Sequence, residues 1–363
     1  MKYPIADTRA MKVRQAVLMV GGKGTRLLPL TERRPKPILS VADRPCIWYL
    51  ARSMARAGIE EIVLACGYRP GEMEALGNGE DLGVKITYTY EDSPMGTGGA
   101  LKLLEDRLDD VFVAANGDVF ADVDIRGQIA DHLSSGADVT MSVRYVEDPS
   151  QFGIALLDDD RFVQRFMEKP KPEEAYSHWI NSGVYVVDRG VLGMIPPGEF
   201  YDFSKDLFPR LIGHGGGIRG FPMEGIWMDV GRPHDLMEAN LAAAQREKSG
   251  TTPDGCVLRG RHYVSPDCSV SSSELDESAV SEGCDVSDSR LSRTLLLRDC
   301  KVDGAEISHS ILGEGCVVSK GARITDSVLA DFTVVGPGET ITGDRIVRCL
   351  RSDYNSVLEK KRG

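Results

Sequence analysis

Between residues 20 and 40 the chain collects groups suited to holding phosphates. Gly21-Gly22-Lys23-Gly24-Thr25-Arg26 is followed by Arg33-Arg34-Pro35-Lys36-Pro37, a short local cluster of basic residues in a chain whose net charge is −12. Glycines let main-chain N–H groups approach phosphate oxygens closely, and Arg26 and Lys36 supply charge to the β- and α-phosphates of a nucleotide. The spacing is not the G-x-G-x-x-G of a dinucleotide fold, and a structural turn does not account for Thr25-Arg26 or for Pro-Lys-Pro. Three further groups have the types that phosphate chemistry uses: Asp118 after Asn116-Gly117, Asp229 after Ile226-Trp227-Met228, and Lys169 between Glu168 and Pro170. Taken alone, an aspartate after a strand is as readily a turn or helix cap, and a Glu-Lys pair before a loop is commonly a solvated surface pair.

These residues need a scaffold, and the first two-thirds of the chain provides one. Apolar, β-branched runs at Ala16 to Val20, Glu61 to Ala65, Lys85 to Tyr90 and Val111 to Ala115 alternate with helical spacing over Cys46 to Ala57 and Gly98 to Leu108. Strand and helix in alternation predict an α/β fold, a doubly wound Rossmann-like sheet with helices on both faces. The glycine segment then emerges at the carboxyl edge of the sheet, where open α/β folds bind ligands. Asp118 follows the fourth run and reaches the same edge. More closely spaced runs at Val139 to Val143, Ile154 to Leu157, Phe162 to Phe166 and Val184 to Val187 predict a mixed or antiparallel extension. A helix from Pro233 to about Lys248 and a linker over Ser249 to Pro253 end the region.

The last third repeats. Val264, Val270 and Leu275 are followed by Val280, Val286, Leu291, by Leu296, Val302, Ile307, by Leu312, Val318, Ile324 and by Leu329, Val335, Ile341, so successive triplets begin 16, 16, 16 and 17 residues apart. Three short apolar faces per coil predict a left-handed parallel β-helix. Cys268, Cys284, Cys300 and Cys316 each fall four residues after the first apolar residue of a coil, with Thr333 at the matching place in the fifth. They form an inward ladder of small side chains rather than a zinc site, since stacked coils give a line of thiols and not a tetrahedron. Cys46, Cys66, Cys256 and Cys349 show no pairing pattern. The expected division is an α/β domain over 1–250 and a β-helix domain over 251–363.

The bulk composition narrows the partners. An acidic chain with no dense Lys/Arg stripe disfavours nucleic acid. Its apolar runs are too short to cross a bilayer and its start lacks a secretory signal, so the expected location is the cytoplasm, with thiols reduced.

The segments at Gly21 to Thr31 and Arg34 to Pro37, with Gly117-Asp118, Glu168-Lys169-Pro170-Lys171, Asn181-Ser182-Gly183-Val184-Tyr185 and Trp227-Met228-Asp229-Val230-Gly231-Arg232-Pro233, resemble the signature of the sugar-nucleotide pyrophosphorylases. Within that family the chain is most similar to the mannose-1-phosphate guanylyltransferase branch. The resemblance implies that Asp118 and Asp229 hold Mg²⁺, a hard cation suited to oxygen ligands. It implies that Arg26 stabilises departing pyrophosphate, Lys36 the phosphates at the reacting centre, and Lys169 the sugar phosphate. Val20, Gly21, Gly22, Gly24 and Thr25 fall in its nucleotide loop. Gly117, Gly153, Glu168, Asn181 and Gly183 match its sugar-phosphate positions. Val20 is a departure: the family usually has alanine there, and the larger side chain is expected to narrow the nucleotide site.

The segment Glu91-Asp92-Ser93-Pro94-Met95-Gly96-Thr97 resembles the base-reading loop, which brings Pro94, Gly96 and Thr97 into the candidate site. Uridylyl and thymidylyl members often carry glutamine where this chain has Glu91. Guanine presents adjacent N1–H and N2–H donors, which one carboxylate accepts together, whereas uracil and thymine suit an amide. GTP is therefore the expected donor and mannose 1-phosphate, the default of the family it resembles, the expected acceptor, with glucose, heptose or cyclitol phosphates, or UTP or dTTP as donor, the alternatives. Two other readings are a non-catalytic assembly subunit, which the presence of Arg26, Lys36, Asp118, Lys169 and Asp229 argues against, and a tail with acyltransferase chemistry. His262 and His309 sit in no acyl-acceptor motif, so the coils are expected to serve stability and homo-oligomerisation. The first ten residues precede an ordinary family start at Met11.

Overall fold

The computed structural model describes residues 12–22, 24–67, 73–246, 253, 255–343 and 345–346. Lys23, the first ten residues, the end of the predicted helix at Lys248, most of the linker and Cys349 lie outside them. Compactness divides the chain into two units, one of Met1–Gly22 with Ile47–Trp227, the other of Lys23–Cys46 with Met228–Gly363.

The first unit is built on a nine-stranded sheet. Strands β1 (Gln15–Met19), β2 (Glu61–Cys66), β3 (Lys85–Tyr90) and β4 (Val111–Asn116) lie parallel in the order β3-β2-β1-β4. That order reverses direction of progression between β1 and β4, the switch point at which such sheets bind ligands. Register is continuous: Met19 faces Ala65 on one side and Asn116 on the other. The four carboxyl ends therefore leave the sheet at one edge, carrying Gly21, Gly67, Glu91 and Gly117-Asp118.

Both faces of the central strands are buried, which is why β1 and β4 read as unbroken apolar runs rather than alternating ones. Val17, Met19, Val63, Ala65, Phe112 and Ala114 belong to a core with Leu101, Leu104, Leu192, Phe203 and Phe208. Ala16, Leu18, Ile62, Leu64 and Val113 between them are fully buried as well. Helix α1 (Cys46–Ala57) buries Ile47, Leu50, Ala51 and Met54, a spacing of three, four and seven that makes one apolar stripe.

The antiparallel extension is present and longer than its apolar runs suggested. Strand β5 (Val119–Val123), which lies outside the nine-stranded sheet, follows β4, and helix α3 (Ile125–Ser135) follows β5; the extension itself consists of β6 (Val139–Tyr145), β7 (Gly153–Leu157), β8 (Val163–Glu168), β9 (Trp179–Asp188) and β10 (Ile218–Pro222). Strand β9 runs antiparallel to β4 and to β6, β7 pairs with β8, and β10 lies parallel to β6. The helical stretch expected over Gly98 to Leu108 is a shorter helix α2 (Gly96–Lys102) with a 3-10 turn at Glu105–Arg107. Helix α3 carried signals that periodicity missed: Asp124 caps its start by accepting from Gly127 N at 2.9 Å, and Gly136 ends it in the left-handed conformation.

The second unit contains the segment 24–46, a helix at Pro233–Ala244 and the coils. The helix stops four residues before the expected Lys248, with Gln245 and Arg246 in a turn. The repeat forms three parallel sheets of six, six and five strands. Val270, Val286, Val302, Val318 and Val335 stack in register, as do Leu275, Leu291, Ile307, Ile324 and Ile341. Val264, Val280, Leu296, Leu312 and Leu329 form the third column. Each predicted triplet thus supplies one residue to each face, the arrangement of a left-handed β-helix. Inside it Cys284, Cys300 and Cys316 are buried and their thiols donate to Leu297 O, Gly313 O and Ala330 O at 3.1, 3.1 and 3.2 Å. Among the described residues no helix is long and apolar enough to cross a membrane.

Candidate active site

At the switch-point edge of the first unit, the backbone of Gly21 and Gly22 is exposed, and a Cβ on either would meet nothing within 4 Å. Open space there leaves their N–H groups approachable by a ligand. Val20 differs from its expected effect. Its N–H donates to Ala65 O at 2.9 Å and its side chain is buried; a Cβ on Gly117 would lie 2.4 Å from Val20 Cγ1. The extra bulk relative to alanine packs against the Gly117 backbone rather than projecting with the exposed glycines. Gly117 N in turn donates to Met19 O at 2.9 Å, which ties the turn carrying the half-buried Asp118 to the end of β1.

Glu91 leaves β3 with its N–H on Cys66 O at 3.1 Å, and its Oε2 accepts from Met95 N at 3.0 Å. The side chain is thereby folded over its own loop. Gly67, which motif reading missed, makes this possible: a Cβ there would fall 3.2 Å from Gly21 Cα and 3.4 Å from Glu91 Oε2. A glycine directly after a buried strand was the available signal. Pro94 is exposed on the loop, whereas Gly96 and Thr97 are engaged elsewhere. Thr97 Oγ1 accepts from Phe203 N at 2.9 Å, and a Cβ on Gly96 would collide with Tyr201 O at 2.6 Å. Both hold the segment before Phe203 against the start of α2.

Of the expected sugar-phosphate residues, Gly153, Glu168, Asn181 and Gly183 come together near the Ser204 hydroxyl, whereas Gly117 packs against Val20. In β9 the register shifts between Asn181 and Tyr185, and Gly183 sits in the bulge with φ 77°. Asn181 Oδ1 accepts from Gly183 N at 3.0 Å while its Nδ2 donates to Tyr185 Oη at 2.8 Å and to Ser204 Oγ at 3.3 Å. Ser204 also lies near enough to Glu168 to favour its charged form slightly. The Glu168 carboxylate lies over the backbone of Gly153, where a Cβ would be 2.6 Å from Oε2. Burial, the largest influence, raises the Glu168 pKa above the ordinary glutamate value, with Lys169 opposing and Asp202 reinforcing the shift. Lys169 projects outward, 64% exposed, 3.9 Å from Glu168, with its backbone at φ 47° and its N–H on Phe152 O. Ser204 and Asp202 lay outside every motif. Asp202 Oδ1 caps the following turn through Ser204 N and Lys205 N at 2.9 and 3.0 Å, an Asp-x-Ser pattern readable as a cap.

The second unit brings together the remaining charges. Gly24 adopts φ 62° and its carbonyl accepts from Thr31 Oγ1 at 2.8 Å, which bends the chain into the 3-10 turn Thr25–Leu27, with Thr25 and Arg26 exposed and Leu27 buried. The Arg26 guanidinium lies over Gly231, where a Cβ would be 3.0 Å from Nη2. Lys36 is 6% exposed and its ammonium is 3.0 Å from Asp229 Oδ1, whose side chain is a third exposed. A lysine this buried needs an opposite charge beside it. Gly231, also outside the expected set, leaves room for Arg26 two residues from Asp229.

Comparison with known proteins gives the family of the chain. The nucleotidyl transferase family pattern matches residues 15–246, and a GlmU-like C-terminal hexapeptide pattern matches 263–347. The chain is 36% identical over 265 residues to the mannose-1-phosphate guanylyltransferase of Mycobacterium tuberculosis, covering 72% of each chain. It is 34% identical over 270 residues to the mannose-1-phosphate guanyltransferase of Schizosaccharomyces pombe, covering 71% of this chain and 73% of that one. Among solved structures, a Bacillus anthracis protein described as a glucose-1-phosphate thymidylyltransferase superposes with a TM-score of 0.59 at 27% identity, over 66% of this chain and 98% of that one.

Proposed function

Because the chain belongs to the nucleotidyl transferase family, we propose that it joins GTP to mannose 1-phosphate, forming GDP-mannose and pyrophosphate. A phosphate oxygen of the sugar 1-phosphate attacks the α-phosphorus of GTP, the bond to the β-phosphate oxygen breaks, and pyrophosphate leaves with that electron pair. No covalent protein intermediate is needed, so positioning and charge neutralisation are the protein's contribution.

The observation that carries this reading is the pairing, within one unit, of an exposed glycine edge with the Glu168, Asn181 and Ser204 cluster: one is suited to phosphates, the other to hydroxyl groups. Gly21, Gly22, Gly24 and Thr25 face the phosphates, with Arg26 on the leaving pyrophosphate and Lys36 on the reacting phosphate. Glu168 and Asn181 read sugar hydroxyls beside Gly153 and Gly183, and Lys169 holds the sugar phosphate. Glu91 accepts from guanine. Asp118 and Asp229 suit Mg²⁺: both are carboxylates with some exposure, and Mg²⁺ takes one or two such ligands plus waters and phosphates. When bound, the ion offsets charge on the nucleotide phosphates. The same reading has the protein working in the cytoplasm and self-associating through its coils.

The test is pyrophosphate release from GTP, UTP, dTTP, ATP and CTP, each with mannose, glucose, heptose and cyclitol 1-phosphates and Mg²⁺. A preference for GTP with mannose 1-phosphate is expected. Preference for UTP or dTTP would overturn the role of Glu91, another sugar would overturn the mannose assignment, and silence with every pair would overturn the class.

A further inference from the structure

Between the 3-10 turn of Arg26 and helix α1, the chain is fixed to one column of the β-helix. The column consists of Glu282, Arg298, Glu314 and Asp331, each two residues after the first apolar residue of its coil. Successive coils stack about 4.8 Å apart, so a single forked cation can reach two of them. Arg34 does so: Nη1 meets Glu314 Oε1 and Nη2 meets Asp331 Oδ2 at 2.5 Å. The Arg34 side chain is 13% exposed and that of Asp331 is 4% exposed. Asp331 is itself fixed, since its Oδ1 accepts from Glu314 N at 2.9 Å and Gly313 beneath it has no room for a Cβ. Arg33 lies over the Phe332 ring at 5.4 Å.

The lower half of the column grips the other end of the segment. Tyr263 Oη and Glu282 N donate to the Asp43 carboxylate at 2.8 and 2.9 Å, and Arg298 Nη2 donates to Asp43 O at 3.4 Å. Ala42 and Asp43 both carry positive φ, 44° and 65°, at the tip of the small hairpin Ser40–Val41 and Arg44–Pro45. Such a turn favours Asn-Gly, so these two residues need outside support. Asn240 adds to it by accepting from Ala42 N at 3.0 Å.

Lys36 stands between the two grips, two residues from Arg34. Pro35 and Pro37 flank it, and Pro35 sits at φ −67° and ψ 148° before the 3-10 turn Lys36–Ile38. Proline on either side leaves little slack, so displacement of Arg34 is passed on to the Lys36 backbone. Stability alone is a weak reason for such a pair, because a buried ion pair is often matched or exceeded by apolar packing. Its directional gain is geometric: a planar fork on two fixed carboxylates sets both position and orientation.

We propose that Glu314 and Asp331 are positioning residues for the nucleotide side of the reaction, holding Lys36 in place through Arg34, so that the β-helix takes part in turnover as well as in stability. The proposal rests on Lys36 acting on the nucleotide phosphates, as read above.

The test uses the full-length protein, with rates at varied GTP and varied mannose 1-phosphate in the presence of Mg²⁺ and thermal melts of every variant. Asp331→Asn and Arg34→Lys are expected to lower kcat/KM for GTP by about 10- to 100-fold, the scale of a small misplacement of a reacting group. KM for the sugar phosphate should stay within about twofold, because its residues belong to the other unit. In a Lys36→Ala background, Asp331→Asn should cost nothing further, since the group it positions is gone. Glu314→Gln, at a more exposed carboxylate, carries the test if Asp331→Asn fails to fold. Folded variants that keep kcat/KM for GTP within about twofold, or losses that multiply with Lys36→Ala, overturn the proposal while leaving the functional reading intact. An undiminished Lys36→Ala overturns the proposal together with the role given to Lys36, and an inert wild type overturns the functional reading as well.

Discussion

In the first unit Asn181 links the Tyr185 and Ser204 hydroxyls beside a single carboxylate, Glu168, whereas in the second Lys36, Asp229, Arg34, Glu314 and Asp331 are matched charge against charge. The hydroxyl cluster gets its shape from backbone devices: the bulge at Gly183, the bare backbone of Gly153 and the Asp202 cap. The charged segment, whose own strands are only the short pair Ser40–Val41 and Arg44–Pro45, is held by side chains of the coils. A site made from backbone geometry loses selectivity when a polar group is exchanged. One made from paired charges loses rate when a partner is removed.

The largest effect should come from Asp118→Ala. If Asp118 holds Mg²⁺ opposite the phosphates, turnover falls by at least about 10³-fold, in the range expected when preorganised charge stabilisation is removed. A half-buried side chain on a turn fixed by Gly117 should leave the thermal melt little changed, and retained pyrophosphate release would break the metal assignment. Lys36→Ala follows, with a loss of about 10²-fold in kcat/KM for GTP and little change in KM for the sugar phosphate. Equal damage to both substrates would erase the distinction between the two regions.

Glu168→Gln should act on the other side and more weakly, raising KM for the sugar 1-phosphate by about tenfold, the scale of one lost hydrogen bond to a charged acceptor, and sparing GTP. The pH dependence sharpens this. Burial raises the Glu168 pKa, so the carboxylate becomes protonated at a higher pH than the ordinary glutamate value of 4.5. The sign follows: acidification removes the acceptor, and sugar affinity in wild type should fall as pH drops through a point above 4.5. Measured as KM for the sugar phosphate against pH, that limb should vanish in Glu168→Gln; its persistence would assign it to another group.

The contrast also explains what could be read before any coordinates. The coils were legible because their period is an arithmetic property of the chain: each apolar residue has a neighbour 16 or 17 positions away, and register follows. Strands β1 and β4 were legible because burial on both faces makes them continuously apolar. Ser204, Gly67 and Gly231 were not, because each serves by being small or by bearing one hydroxyl near residues distant in sequence. Arg34 was visible as a basic residue, but its partners lie 280 and 297 positions on, and no spacing rule links them. Val20 looked like an intrusion into the nucleotide site, and only the packing against Gly117 showed where its bulk goes.

The smallest effect expected is in the thiol ladder, and it separates the stability of the coils from their part in turnover. Cys300 is fully buried, its thiol donates to Gly313 O at 3.1 Å, and burial holds its pKa well above the ordinary thiol value. It should therefore resist alkylation until the coils open, so that labelling follows unfolding and not reagent concentration. The molecule already carries a substitute at the equivalent place one coil beyond Cys316: Thr333, fully buried, donates from Oγ1 to Ala330 O at 2.7 Å. A hydroxyl and a methyl thus fill the same inward position, with the donor turned back to a carbonyl of its own coil where the Cys300 thiol reaches the next one. Cys300→Thr should change unfolding free energy by less than about 1 kcal/mol, since volume is nearly kept and the donor has a carbonyl within reach. Cys300→Ala removes sulfur and donor together and should cost about 1 to 2 kcal/mol. Chemical denaturation of both variants checks the order. If either lowers kcat for GTP at temperatures well below its melt, the interior of the coils is coupled to the reaction as tightly as the Arg34 column is, and the division between a stabilising interior and a positioning surface fails.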